Sequence, residues 1–398
     1  MARRQWWQRP QLRVGEDERR VSWLELFFDL VFVVVISQLA HHLAAHLSLS
    51  DFLGYVLQFV AVWWVWIGGT YYNERFETHD LSYRLFVFLM MLPPAAMAVF
   101  ASQGLDKASV QFALAYVVAR ILIIALWLNG GYHNPMFRPV SNRYAVGFSI
   151  SALIWLLSVF VPPPTRYMLW GLGLLIDFLT PITTLNWQAR LPQAKKSKLP
   201  ERYGLFVIIV LGEAIVGVIN GVANVDVLSL GAGGTGVLGM ALIFGLWWVY
   251  FDFIGRREGA RRGMWSALIW GYSHAPLVIG IAAVSAGIQN VLAHTIGELQ
   301  PGVRLLTAGA VAAALASMGL IELVSRREPD EPTGERLSPL MKVIAAAVCL
   351  LVGLFGGGMS STLLLITLIV LVATQVVYGL YVWFSQVIPE DHPTASHG

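Results

Sequence analysis

Two carboxylates stand where carboxylates are rarely found. Residues 24–40 read Leu-Glu-Leu-Phe-Phe-Asp-Leu-Val-Phe-Val-Val-Val-Ile-Ser-Gln-Leu-Ala, a run apolar enough to cross a bilayer that still carries Glu25 and Asp29. An ionised acid at the centre of a span costs roughly 3 kcal/mol on insertion scales. Residues of this kind therefore mark a functional interior. Their i, i+4 spacing puts both on one helix face. The register shift that carries Asp29 onto Glu213 also carries Trp63-Trp64-Val65 onto Trp247-Trp248-Val249. One shift aligning two separate segments predicts an internally duplicated chain with one such acid in each half.

Other ionisable groups at membrane depth are Arg120, Asp177 and His274, with Asp252 and Glu322 nearer the inner headgroups. Acids outnumber bases, so those left without a cation are protonated or balanced by a visiting proton or small cation. This assigns Asp29 and Glu213 as exchanging carboxylates, assisted by Glu25 and Asp177, with Arg120 setting their proton affinity. His274 is the relay candidate, because imidazole titrates near neutral pH. The competing reading is structural. Arg120 paired with Asp177 or Glu213 would fix helix register, and His274 would be neutral and bonded to a carbonyl. Trp64, Trp248, Asp252 and Pro276 are cavity or gate candidates, since a proline inside a span frees backbone carbonyls toward a cavity.

Other motifs carry less. His41, His42 and His46 lie near Asp51, and His42 and His46 have ligand spacing, but no second cluster completes a tetrahedral set. An interfacial histidine turn is expected, with no metal and no cofactor. Gly231-Ala232-Gly233-Gly234-Thr235-Gly236 follows no strand and reads as a loop. No serine–histidine elbow, H-E-x-x-H or phosphate-binding loop is present, so the chain does not read as an enzyme. A lipid-directed enzyme would have to use Glu201, Arg202 and Asp252 at the inner surface.

These residues need an all-α frame. The chain has 398 residues, 57% hydrophobic and only 13% charged, against about a quarter charged in soluble domains. Twelve runs of about 20 apolar residues are span candidates, the first over 23–46, the eighth over 235–254 and the last over 361–386. With the N-terminus inside, 23 of the 27 Lys and Arg fall on the inner side and three, Lys107, Arg166 and Arg304, on the outer, with Arg120 mid-span. That bias predicts both termini in the cytoplasm. The expected organisation is a cytoplasmic leader (1–22), a first six-helix half (23–187), a connector (188–201), a second half (202–388) and a tail (389–398). Six spans per half is even, so the repeats would be parallel. The net charge of +3 is spread over loops and indicates no nucleic-acid partner. The partners expected are the lipid bilayer and a small cation or proton, and a homo-oligomer is compatible with the sequence. The single cysteine, Cys349, cannot form an internal disulfide.

Glu25-Leu26-Phe27-Phe28-Asp29-Leu30-Val31-Phe32 resembles the opening signature of the bacterial low temperature requirement protein A family. The segment 201–213, Glu-Arg-Tyr-Gly-Leu-Phe-Val-Ile-Ile-Val-Leu-Gly-Glu, resembles its second signature. Trp247-Trp248-Val249-Tyr250-Phe251-Asp252 and Tyr272-Ser273-His274-Ala275-Pro276-Leu277 fit as well, and the match runs from about residue 16 to about 385. The resemblance implies a multi-pass protein of the bacterial plasma membrane and supplies no substrate. The chain is also similar, more loosely, to lysosomal potassium or proton channels with an F-S-D motif in the first span of each half. Phe27-Phe28-Asp29 fits that pattern and Leu211-Gly212-Glu213 departs from it.

Overall fold

Hydrocarbon offers no partner to a backbone amide, so apolar runs of this length close their hydrogen bonds internally as helices. The computed structural model describes residues 7–12, 21–77, 80–192, 197–225, 230–293, 298–327, 331 and 333–385. Parts of the expected leader and connector and the whole 389–398 tail lie outside the described residues. The spans are α1 (Trp23–Ala45), α2 (Leu49–Arg75), α3 (Leu81–Ser102), α4 (Leu105–His133), α5 (Arg138–Ser158) and α6 (Thr165–Ile182). They continue as α7 (Leu199–Ala223), α8 (Leu230–Tyr250), α9 (Met264–Ala293), α10 (Pro301–Val324), α11 (Leu337–Phe355) and α12 (Ser361–Phe384). All twelve are long and apolar enough to cross a membrane. A helical turn, Leu185–Gln188, extends α6, and a π-helical segment, Phe251–Gly255, extends α8.

Local chemistry sets the helix starts. Ser22 and Glu25 form a capping box at α1, and Ser48, Asp80 and Ser360 cap α2, α3 and α12. A short strand, β1 (Gln11–Leu12), pairs antiparallel with β2 (Phe76–Glu77) at the end of α2. The Gln8 amide donates to Asp80 at 2.8 Å, so residues 7–12 are docked on the first half rather than forming a plain leader.

The glycine-rich segment at 231–236 is not a loop. It forms the first turns of α8, which begins at Leu230. Glycine costs about 1 kcal/mol in a water-exposed helix, but at membrane depth the hydrogen bond and close packing offset this. A Cβ on Gly236 would lie 2.7 Å from Val222 on α7, so that glycine admits the neighbouring helix.

In the first half α1 packs on α2 and α3, α4 on α3 and α5, and α5 on α6. In the second, α7 packs on α8 and α9, α10 on α9 and α11, and α12 on α8. The halves meet through α1 and α2 against α7 and α9. Protein covers 72% of the α2 span and 78% of α9, against 28% of α12, so α2 and α9 lie centrally and α12 faces lipid. Phe27, Leu30 and Val34 are exposed on one side of α1, while Phe28, Phe32, Val35 and Ile36 are buried on the other. This explains an all-round apolar helix with lipid on one face and protein on the other.

Candidate functional site

The two acids aligned by the register shift lie at different levels. Asp29 is 0% exposed on α1, and its Oδ1 accepts from Arg202 Nη2 of α7 at 2.6 Å and from Trp66 Nε1 of α2 at 2.7 Å. Arg202, expected among the loop cations or at the headgroups, is 2% exposed and lies inside the bundle. The acid draws it in, because a buried charge is tolerated only with a close partner. Asp29, Arg202 and Trp66 thus cross-link the two halves.

Glu213 sits eleven residues further along α7 than Arg202, roughly 16 Å at 1.5 Å per residue. Asp29 and Glu213 therefore do not share one midplane site. Between these levels α1 carries Phe32, Val35 and Ile36 and α7 carries Phe206, Val207 and Val210, none more than 1% exposed. Glu213 is 7% exposed and no Arg or Lys pairs with it among the described residues. It faces α1, where the Ser37 hydroxyl bonds it and His41 Nε2 lies 3.8 Å away. His41 is 37% exposed and lies 3.4 Å from Asn220 Nδ2. Beside this strip, Asn290 of α9 donates to the Ala44 carbonyl of α1 at 2.8 Å, and Gln289 to Ser285 at 3.4 Å. Polar groups thus follow the seam between the halves from Glu213 toward the end of α1 that carries His41 and His46. The His42 and His46 rings lie 4.6 Å apart, tilted by 30°, and no metal-holding cluster occurs among the described residues.

Asp177 is 0% exposed and fully claimed. It accepts from Arg120 Nη2 at 2.6 Å, Tyr116 at 2.6 Å and Ser151 at 2.7 Å, which joins α4, α5 and α6. Arg120 pairs with Asp177 and not with Glu213. The Arg120 guanidinium stacks 4.1 Å above Phe148. Both residues line a cavity of about 850 Å³ between the halves, which also takes in Trp64, Trp127, Tyr71 and Tyr144. Its mouth lies at the end of α2, the start of α7 and the segment before α9, on the face opposite His41.

His274 is 0% exposed among Tyr203, Trp270 and Tyr250. Its Nδ1 lies 2.7 Å from the Trp270 carbonyl and its Nε2 3.2 Å from the Tyr250 hydroxyl. The carbonyl requires N–H on Nδ1, and the Nε2 side of the ring is enclosed against the Tyr250 hydroxyl. Glu25 caps α1 by accepting from Ser22 N–H at 2.8 Å. Pro276 is exposed on α9 and does not face the cavity, because α9 turns that side outward. Trp64 is a cavity wall, packed on Phe178 at 4.3 Å. Trp248 donates to Asp252 at 2.6 Å, and Asp252 also holds Arg256 at 2.8 Å.

A second ionic cluster was not legible in the sequence. Glu322, expected within reach of headgroup water, is 1% exposed. It holds Arg257 at 3.0 Å and Lys342 at 2.7 Å, and Arg257 also bonds Glu331. Lys342 and Arg257, expected as loop cations, are buried by this acid. Arg304 is likewise buried in α10 and donates to the Gly353 carbonyl at 3.1 Å. The one available signal was that Arg202, Arg304, Glu322 and Lys342 fall within apolar periodicity rather than in polar loops.

The family model described as bacterial low temperature requirement A protein (LtrA) matches residues 20–378. An uncharacterized protein of Rhizobium meliloti (strain 1021) is 29% identical over 298 residues, covering 70% of this chain and 71% of that protein. The LtrA match runs over both acid-bearing signatures, eleven of the twelve helices and most of the last, so this is an integral membrane protein of the bacterial low temperature requirement A family.

Proposed function

We propose that this protein moves a proton, or a solute coupled to protons, across the bacterial plasma membrane, with Glu213 as the exchanging carboxylate. The carrying observation is a difference among the acids. Asp29, Asp177 and Glu322 each hold an Arg or Lys, whereas Glu213, among the described residues, has no Arg or Lys partner and meets the Ser37 hydroxyl and the His41 imidazole. An acid without a fixed cation at this depth changes protonation state at least cost. The Lys and Arg bias supports an orientation with the cavity mouth and both termini in the cytoplasm and His41 outside. Protons then reach Glu213 from outside along His41, and the apolar layer below it separates it from Asp29–Arg202. Asp29 acts in this reading as part of a closing pair between halves, and Asp177 with Arg120 as an internal brace. The recurring neighbour pattern of the two six-helix sets supports the parallel repeat on which such a transporter would rock. The reading is of a transport protein and not of an enzyme.

A second reading is a non-transporting membrane sensor or scaffold, favoured by the number of acids locked in ion pairs. Proteoliposomes with an imposed pH gradient separate the two. The transport reading expects the wild type to acidify or alkalise the lumen and Glu213→Gln to lose this at least tenfold while remaining folded. Equal proton movement in wild type, Glu213→Gln and empty liposomes sinks it.

A further inference from the structure

We propose that the cavity on the N-terminal face binds an organic carboxylate with a compact aromatic body. The proposal concerns a different site from Glu213 and does not depend on proton movement. At about 850 Å³ the cavity is in the size range of small-molecule sites, about 300–1,000 Å³. Its walls are aromatic, with Trp64, Tyr71, Tyr144 and Phe148 among them, and suit a flat apolar body.

The polar character of its lining sets the ligand's chemistry. Two of its lining residues carry buried side-chain atoms without a hydrogen-bond partner, and every such atom is a donor: Arg120 Nε and Nη1, and Trp127 Nε1. Guanidinium and indole nitrogens can only donate, so the missing partner is an acceptor. Asp177 engages Arg120 through Nη2 alone, which leaves the other two nitrogens for a second acceptor. Arg120 and Trp127 lie seven residues apart on α4, two turns along one face. A carboxylate at Arg120 and a second polar atom near Trp127 would use both. Arg120 is 0% exposed at the wall with Phe148 stacked on it, so binding requires its side chain to rotate and present these donors to the cavity. At the mouth Arg75 and Arg262 stand beside Glu74 and Glu201, and Arg326 pairs with Glu258 at 3.1 Å. Arg261, also in the lining, pairs with Glu335 at 2.6 Å, so most of the charge there is compensated and selectivity falls to the inner wall. A carboxylate bonds guanidinium about twice as strongly as a neutral acceptor does.

The test is equilibrium dialysis of full-length protein in nanodiscs, with empty nanodiscs as background and no pH gradient. The probes are 1-naphthylacetate, its neutral amide 1-naphthylacetamide, and laurate. Saturable binding of naphthylacetate is expected, with the amide at least tenfold weaker and laurate weaker than naphthylacetate. Arg120→Leu with Asp177→Leu removes both charges together and should weaken the acid at least tenfold. If that double variant does not fold, two others carry the test. Trp127→Phe should weaken binding several-fold, and Ala267→Trp, which narrows the mouth, at least tenfold. Glu213→Gln should bind as the wild type does, which separates this site from the proton reading. Equal affinity for acid and amide, no saturation above empty nanodiscs, or tighter binding of laurate overturns the proposal.

Discussion

Among the described residues, Arg202→Met would leave Asp29 fully buried with the Trp66 indole as its one remaining donor, because the guanidinium at 2.6 Å is the one cation paired with it. Breaking a buried ion pair from one side costs about 3–5 kcal/mol. Asp29→Asn strands the other partner, since Arg202 Nε and Nη1 already lack bonds and Nη2 would face a neutral amide. The double variant Asp29→Asn with Arg202→Met leaves no orphan charge and should recover most of either loss. The expected coupling is on the order of 3 kcal/mol, the upper end for contacting residues. The assay is a double-mutant cycle of unfolding in mixed micelles, followed by tryptophan fluorescence across a denaturant titration. The same four proteins in liposomes give a second readout: the double variant retains proton movement, because Glu213 is untouched. Stability losses that add within about 0.5 kcal/mol would show that the pair is not a coupled unit and refute the closing-pair assignment.

Further outcomes follow from the packing. Gly280→Val places a Cβ 2.8 Å from the Ala310 carbonyl at the α9–α10 contact and should cost about 1–3 kcal/mol by overpacking, read as a lower thermal midpoint. Among the described residues, Lys342→Met leaves Glu322 paired with Arg257 alone and should destabilise by roughly 3 kcal/mol, with Glu322→Gln added to it restoring part of the loss. Asp80 lies outside the spans. Burial alone would raise its pKa, but hydrogen bonds from Ser82, Gln8 and Tyr83 outweigh this and hold it below the ordinary carboxylate value. A depressed pKa adds stability above the unfolded value, near 4, that is lost as pH falls through the folded value. Docking of residues 7–12 should therefore loosen below about pH 4 and in Asp80→Ala, where losing the helix cap costs about 1 kcal/mol. Limited proteolysis of that segment measures both, and pH-independent cleavage contradicts the assignment.

Much of the site was visible as residue types. Glu25, Asp29, Asp177, Arg120 and Glu213 stand out because charge is rare within apolar runs. Partner choice was not visible. Arg202 and Lys342 fall near span ends, where sequence cannot distinguish a headgroup contact from an inward turn. The glycine segment misled for a related reason: glycine breaks helices in water, but in a bilayer it lets helices approach. His274 next to Pro276 suggested a wet, kinked site, yet α9 turns the imidazole into an aromatic cage and the proline outward.

By itself the sequence determined the membrane class, the twelve helices and the family, because hydrocarbon leaves an apolar backbone no other way to satisfy its amides. Only the tertiary structure decided which acids are neutralised. Asp29 meets a guanidinium from α7, whereas Glu213 meets an imidazole from α1. Which helix face turns toward which neighbour follows from packing between segments far apart in sequence, and a buried charge responds to what lies within a few ångströms of it.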